Sequence, residues 1–568
     1  MIAVGTVGVF KLLTRSGPTI NPLKMTITKV TENGMARAAA ISLDGRYAAY
    51  VRYDAVPSFW VKQLATGSDI QVVPPQAGSF YHGMRFTPDG NYIFYTNAEK
   101  ENPEVIDLYS VPSLGGVTRH VLTDVGSAPA FSPDGKQIAF EKNQGELRVA
   151  NSDGTGEHVI LVRDAATKGL QGDPSWSADG KLIAMGAEER GGGNNFGSLL
   201  VVTPDGKAVK SFVYKFFVDT VAWVPDGSGL FMITEGPETH FRPQIMFQPY
   251  PGGDLVRVTN DFTWYSGLTM TADSKVLLTV QEQIFQNVFV VDVPETPGPA
   301  LEAGLKQITS EQENGEWLSW TADGKLLVAD AIGRAYLMDA DGSHQVPLLE
   351  REPAVAFPTG CGRADMAVVG LVRERSSALS LYKLNLSSGE LKRLTSDTGD
   401  TEPSCTPDGK WVVYKSSSGG ADHIMKVSSD GGTPVELASG AFFHSHISPD
   451  GRLVVYGRLV GEGANQKREF VIQSIEGGAP VRVLSPTAMM IQFGWFPDGQ
   501  ALLVVKDTGL ARNLFRLPVS GGDPVQLTHF DSEPLLVSAV AWSHDGKKLA
   551  ITRRRRNTKD AVMFTNFR

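Results

Sequence analysis

Eight polar residues stand at like positions along this chain, each just ahead of a short apolar run: Arg37, His82, Asp173, Asp219, Glu316, Glu402, His444 and Gln492. Carboxylates, imidazoles, a guanidinium and an amide converging on one mouth could bind a peptide, a sugar or a metal ion, because together they offer donors and acceptors of both signs. His82, His444 and His446 are the candidate metal ligands, but no local spacing of the metal-binding kind joins them, so no metal and no cofactor is expected. For any one of the eight, a solvated polar funnel is the plainer reading.

Sharper catalytic signatures are missing from the sequence. There is no G-x-S-x-G nucleophile elbow, no Walker loop behind a strand and no HExxH, and no helical stretch that would house a kinase or a DNA-reading helix. The expectation is a protein that binds rather than catalyses. A net charge of −9 argues against nucleic acid as a partner. The one sharp basic cluster, residues 553–556 with Lys547, Lys548 and Lys559 nearby, is expected on a solvated loop between the second and third strands of the last repeat, ahead of a contact to an acidic partner, lipid headgroup or nucleic acid. Gly191, Gly192 and Gly193 form a loop with no helix behind it to cradle phosphate. The two cysteines, Cys361 and Cys405, are read as buried thiols acting as small apolar residues, in preference to a bridge or a metal pair.

What must position these side chains is a repeat. A turn motif recurs from end to end, with aspartates at 44, 89, 134, 179, 226, 273, 323, 365, 408, 450, 498 and 545, spaced 42 to 50 residues apart. Typical copies read SPDGKQIAF from Ser132 and TPDGKWVVY from Thr406. Pro presets φ, Asp bonds the local backbone and Gly takes a positive φ, which together make a hairpin turn. The copy at Asp365 lacks its Gly and Pro, and Asp273 is followed by Ser274, so two irregular repeats are expected. Three residues before the aspartate stand Phe86, Phe131, Trp176, Trp223, Met270, Trp320, Trp495 and Trp542, with Ile41 and Ile447 in weaker copies. A stripe at one fixed repeat position reads as packing between repeats. With the second turn that follows each copy, the pattern gives four strands per repeat.

Four-stranded units of this length cannot bury their faces alone and stack radially, which predicts an all-β fold of about twelve antiparallel blades in two consecutive six-bladed β-propellers. The expected boundaries are an N-terminal tail or membrane-anchor stump at 1–24, a first propeller at 25–296, a Pro-rich linker at 297–304 and a second propeller at 305–568. The last copy has a third strand near 561–564 and no fourth. Two orphan strands, 25–31 and 305–310, are expected to close the sixth and the twelfth blade, each ring on its own N-terminal strand; an exchange between rings would also satisfy the pattern.

The S/T-P-D-G-K turn followed by an apolar strand resembles the WD40-like repeat of the TolB propeller, found also in the propellers of tricorn-type and prolyl-oligopeptidase-type proteases. The resemblance covers nearly the whole chain and implies a docking or sensor module. It implies a protein or peptide partner, membrane contact only through an N-terminal anchor stump, and a periplasmic or otherwise extracytoplasmic location, with the cytoplasm as the alternative. The first functional reading is a non-catalytic scaffold, such as the sensor end of a bacterial signalling protein. The alternatives are a TolB-like envelope scaffold and a propeller lyase or hydrolase working at the channel mouth.

Overall fold

Each recurring turn is assembled from local hydrogen bonds. In the copy at Ser132 the hydroxyl donates to Asp134 Oδ1 at 2.7 Å, that oxygen accepts the Lys136 N–H at 3.1 Å, and Ser132 Oγ accepts the Gln137 N–H at 2.9 Å. The same triangle recurs at Ser42, Ser177, Thr406, Ser448 and Ser543. Bonds to the ionised form hold the carboxyl of Asp134 below its usual range, the Ser132 hydroxyl first among them. The glycine that follows takes the left-handed conformation, as Gly135 does at φ 70°.

Two copies depart from this pattern. Ser274 occupies the glycine slot at φ 60° and is buried. Ser274→Gly should relieve that strain and raise stability by about 0.5–1 kcal/mol, read as a higher thermal midpoint. A lowered midpoint would mean that the hydroxyl matters more than the backbone. At Asp365 the turn begins two residues earlier than the aspartate spacing places it. Cys361 N–H bonds Met366 O as Ser448 N–H bonds Leu453 O, so Cys361 fills the Ser/Thr slot and Asp365 lies two residues past the aspartate slot, paired with Arg363 at 3.1 Å.

The computed structural model describes residues 20–568 apart from short intervening segments, the longest being 164–168, 190–195, 294–298, 373–378, 462–466 and 531–535. The loop at Gly191 to Gly193 therefore lies outside the described residues, as does the N-terminal stretch up to residue 19. Among the described residues the chain forms twelve four-stranded antiparallel sheets, in the manner of propeller blades. Ten blades use four consecutive strands, as in Ala36–Ile41, Tyr47–Tyr53, Pro57–Gln63 and Asp69–Val73. No described helix is long and apolar enough to cross a membrane.

The chain divides into two compact units, the first comprising the chain to Gln283 plus Thr558–Arg568 and the second essentially Ile284–Asn557. The first leaves off earlier than the Pro-rich stretch, because the closing blades exchange their third strands. The sixth blade holds Trp264–Met270, Leu277–Gln283, Thr558–Thr565 and Thr26–Lys29; the twelfth holds Leu536–Trp542, Lys548–Arg554, Gln286–Asp292 and Lys306–Gln307. The two orphan strands close the blades expected of them. The third strands arrive from the other end of the chain, and the Pro-rich stretch joins two strands within the twelfth blade. The basic cluster is displaced in consequence. Arg553 and Arg554 lie within the second strand of the twelfth blade, Arg553 over the rings of Phe530 and Phe289 at 4.5 and 5.0 Å, while Arg555 and Arg556 lie outside the described residues.

The aromatic stripe packs between blades. Phe86, Trp176, Trp223, Met270, Trp320 and Trp495 are buried, as are Ile41 and Ile447, while Phe131 and Trp542 are partly so. A hydroxyl one residue earlier stitches successive inner strands: Ser175 Oγ accepts from Trp223 N–H, Ser404 Oγ from Ile447 N–H, and Thr269 Oγ1 from Ile41 N–H, the last joining the sixth blade to the first. The cysteines are not free thiols. Cys361 and Cys405 form a disulfide between the eighth and ninth blades, with 5.2 Å between their Cα atoms, because the Ser/Thr slot of one blade abuts the aromatic slot of the next.

Candidate functional site

The pairing of first and second strands slips at one place in nearly every blade, as at a β-bulge, and the candidate residues gather there. The slips fall between Ala36 and Ala39, Tyr81 and Met84, Gln171 and Ser175, Val218 and Val221, Thr401 and Ser404, and Phe443 and Ser445. They bracket Arg37, His82, Asp173, Asp219, Glu402 and His444. A bulge re-aims a side chain away from the alternating pleat. Gln492 closes the corresponding slip after Met490. Glu316 differs, preceding the short strand Trp317–Trp320 and accepting from Gln286 Nε2 at 3.3 Å.

In the first unit the structure brings Asp173 and Asp219 together on neighbouring inner strands and adds a residue that the sequence reading missed. Arg85 Nη2 lies 3.3 Å from Asp173 Oδ2, and Asp173 Oδ1 accepts the Ala128 N–H at 2.8 Å. Water reaches Asp219, yet crowding by the surrounding strands and the Asp173 charge push it up to about 6. His82 is held below the ordinary imidazole range by the same desolvation. Arg37 sits over the Tyr53 ring at 4.6 Å. Arg85 was legible as the residue before the buried Phe86, where strand alternation turns a side chain to the opposite face.

In the second unit Glu402 and His444 meet across neighbouring blades, His444 Nδ1 lying 3.1 Å from Glu402 Oε1. A carboxylate only accepts, so His444 Nδ1–H is the donor. Burial would raise the Glu402 carboxyl, but the hydrogen bond and charge of His444, with Lys415 and His446 behind it, hold it below the usual range. Its other oxygen, Oε2, is buried without a hydrogen-bond partner. Desolvation, aided by His444, drives His446 down to about 4, so that it is neutral at neutral pH. Phe493, absent from the sequence reading, stands edge-on to both imidazoles at 5.4 and 6.1 Å. Among the described residues no group of three metal-ligating side chains has metal-site geometry.

Backbone strain is concentrated here. Phe357, Glu402 and His444, on three successive blades, take the left-handed conformation at φ 50°, 55° and 46° within their bulges. The sixth blade of the first unit puts Gly267 within its bulge at φ 69°, and Gly172 takes φ 70° in the fourth. Each non-glycine residue in that conformation costs about 1–2 kcal/mol.

No protein-family profile matches the chain. A curated relative described as "Uncharacterized protein Atu1656", from Agrobacterium fabrum (strain C58), is 25% identical over 142 residues, covering 23% of this chain and 48% of that protein. The chain thus spans about half the length of the curated relative it matches. Among solved structures the chain is similar to the tricorn protease, with a TM-score of 0.33 and 16% identity over 85% of this chain and 49% of that one. It is similar also to a TolB from Agrobacterium tumefaciens described as putative (TM-score 0.39, 16% identity, 48% of this chain and 98% of that one). TolB from Acinetobacter baumannii gives a TM-score of 0.31 and 13% identity over 68% of this chain and 82% of that one.

Proposed function

We propose that this chain is a non-catalytic β-propeller scaffold that recognises an extended peptide or protein segment at the bulged inner strands of the second unit, with Glu402 and His444 as the principal contacts. The observation that carries the reading is the strain at these positions. Glycine would sit there without penalty, yet a carboxylate, an imidazole and an aromatic ring are held in the left-handed conformation, which is the mark of a side chain kept for its chemistry. An imidazole held by its Nδ1 contact, an ionised carboxylate and the Phe493 ring suit the backbone and side chains of a peptide.

The Cys361–Cys405 disulfide supports an extracytoplasmic setting, since such bonds persist in oxidising compartments. That setting fits both a TolB-like envelope scaffold and the sensor portion of a signalling protein.

Peptides selected from a random displayed library on the wild-type protein should bind Glu402→Gly and His444→Gly at least tenfold more weakly, measured by fluorescence anisotropy. The thermal midpoints of the two variants should stay level or rise, because relief of strain offsets the lost contact between the two side chains. Unchanged affinity would remove the site, and a fall in both affinity and stability would mark the pair as structural.

A further inference from the structure

The sixth blade of the first unit is incomplete until the last strand of the chain arrives. Leu277–Gln283 pairs along its whole length with Thr558–Thr565, from Leu277 opposite Phe564 to Gln283 opposite Thr558. On the other side Thr26–Lys29 pairs with that same strand, from Thr26 opposite Thr565 to Lys29 opposite Val562. The N-terminal strand has no other neighbour in its sheet. One segment therefore holds two of the four strands in place, and some 270 residues of the other unit precede it in the chain.

The contacts of this segment are more specific than a backbone ladder. Val562, Phe564 and Phe567 are buried in one cluster with Phe231, Phe247 and Leu277, Phe567 lying edge-on to Phe231 at 5.4 Å. Asp560, almost wholly buried, accepts from Lys29 Nζ and Thr31 Oγ1 at 2.9 Å each and from the Gly34 N–H at 3.1 Å. Lys559 Nζ lies 2.6 Å from Glu282 Oε2, and Arg568 donates to Asp226 and to Ser228 Oγ on the fifth blade. These partners come from three separate stretches of the first unit.

We propose that the slot between Leu277–Gln283 and Thr26–Lys29 is a strand-receptor site whose ligand is the chain's own segment Thr558–Arg568. The first unit waits open while the second unit is made and folds, and it closes last by strand insertion. The register is set by Asp560 and the two phenylalanines. The slot also accepts the same segment supplied in trans.

The test uses the full chain carrying a specific protease site between Arg554 and Thr558. After cleavage the eleven-residue peptide Thr558–Arg568 should stay bound through gel filtration. After unfolding and refolding with excess labelled peptide of the same sequence, the label should be incorporated one to one. Peptides carrying Asp560→Ala or Phe564→Ala should be incorporated at least tenfold less well. Release of the peptide from the nicked native protein, or equal incorporation of all three peptides, overturns the proposal. Pulsed hydrogen exchange during refolding of the uncut chain supplies the order. Protection of Trp264–Met270 and Leu277–Gln283 should appear together with that of Thr558–Thr565 and after that of Leu381 and Val413 in the second unit. Earlier protection of Trp264–Met270 and Leu277–Gln283 overturns it even if the nicked chain behaves as expected.

Discussion

Trp320→Ala should remove about 4 kcal/mol from the stability of the second unit, the largest effect expected of any single substitution in its core. Trp320 is 2% exposed and packs with Val288, Val290, Leu326, Val328, Met338 and Ala550. Those partners come from its own blade, the seventh, and from the twelfth, so the indole sits where the ring closes on itself. Its Nε1–H donates to Ala541 O at 2.9 Å, and its own carbonyl accepts from His544 Nε2 at 3.0 Å. Trp320→Phe keeps most of the buried ring but removes the indole hydrogen bond to the Ala541 carbonyl, and should lose about 0.5–1.5 kcal/mol. Denaturant unfolding gives the size of the two losses. Hydrogen exchange should place both at Leu326–Ala329 and Ala335–Met338, with strands of the first unit such as Tyr47–Tyr53 unchanged. Equal losses in the two variants would mean that the hydrogen bond dominates and the packing argument fails.

What the sequence made legible was whatever is decided within a few residues. A Ser or Thr, an Asp and a Gly complete their turn among themselves, so the turn recurs in sequence as it recurs in space. The stripe at Trp176, Trp223 and Trp320 was readable for the same reason, since each ring meets the neighbouring blade at one fixed register. Partner choice is different. A strand such as Thr558–Thr565 carries the same apolar alternation whether it pairs with the strand before it or with one 275 residues earlier, so nothing local separates Leu277–Gln283 from Lys548–Arg554 as its neighbour. Spacing misleads at Asp365 because an aspartate stands near the expected place, whereas the hydrogen bonds put Cys361 at the start of the turn.

The candidate site was half legible. Position ahead of each apolar run found Glu402 and His444, but the bulges that aim them look like noise to a reading by alternation. A signal was there in Pro174, Pro358 and Pro403, each following or lying within a slip of its strand, since proline inside a sheet is confined to edges and bulges. Read that way, Phe357 would have joined Glu402 as a bulge residue from sequence alone. The face of Arg85 followed from alternation, but its pairing with Asp173 and the place of Phe493 needed coordinates, because both depend on how the blades are arranged.

Cys361→Ser with Cys405→Ser should destabilise the second unit by about 4 kcal/mol, the chain-entropy value for a bridge closing a loop of this length, where 44 positions separate the two residues. For a unit of this size that corresponds to a fall of roughly 10 °C in thermal midpoint. The wild-type protein treated with reductant should fall by a similar amount, and the double variant should not respond to reductant at all. Intact mass after alkylation sets the premise: the oxidised protein should take up no label, and the reduced and unfolded protein two. A wild-type midpoint indifferent to reductant would show that the cluster of Val368, Val412 and Tyr414 around the two sulfurs holds the eighth and ninth blades together unaided. The extracytoplasmic reading would lose its support by the same result, because it rests on that bond being kept. A matched loss in variant and reduced protein would instead tie the stability of the blades that carry Phe357 and Glu402 to the redox state of their surroundings.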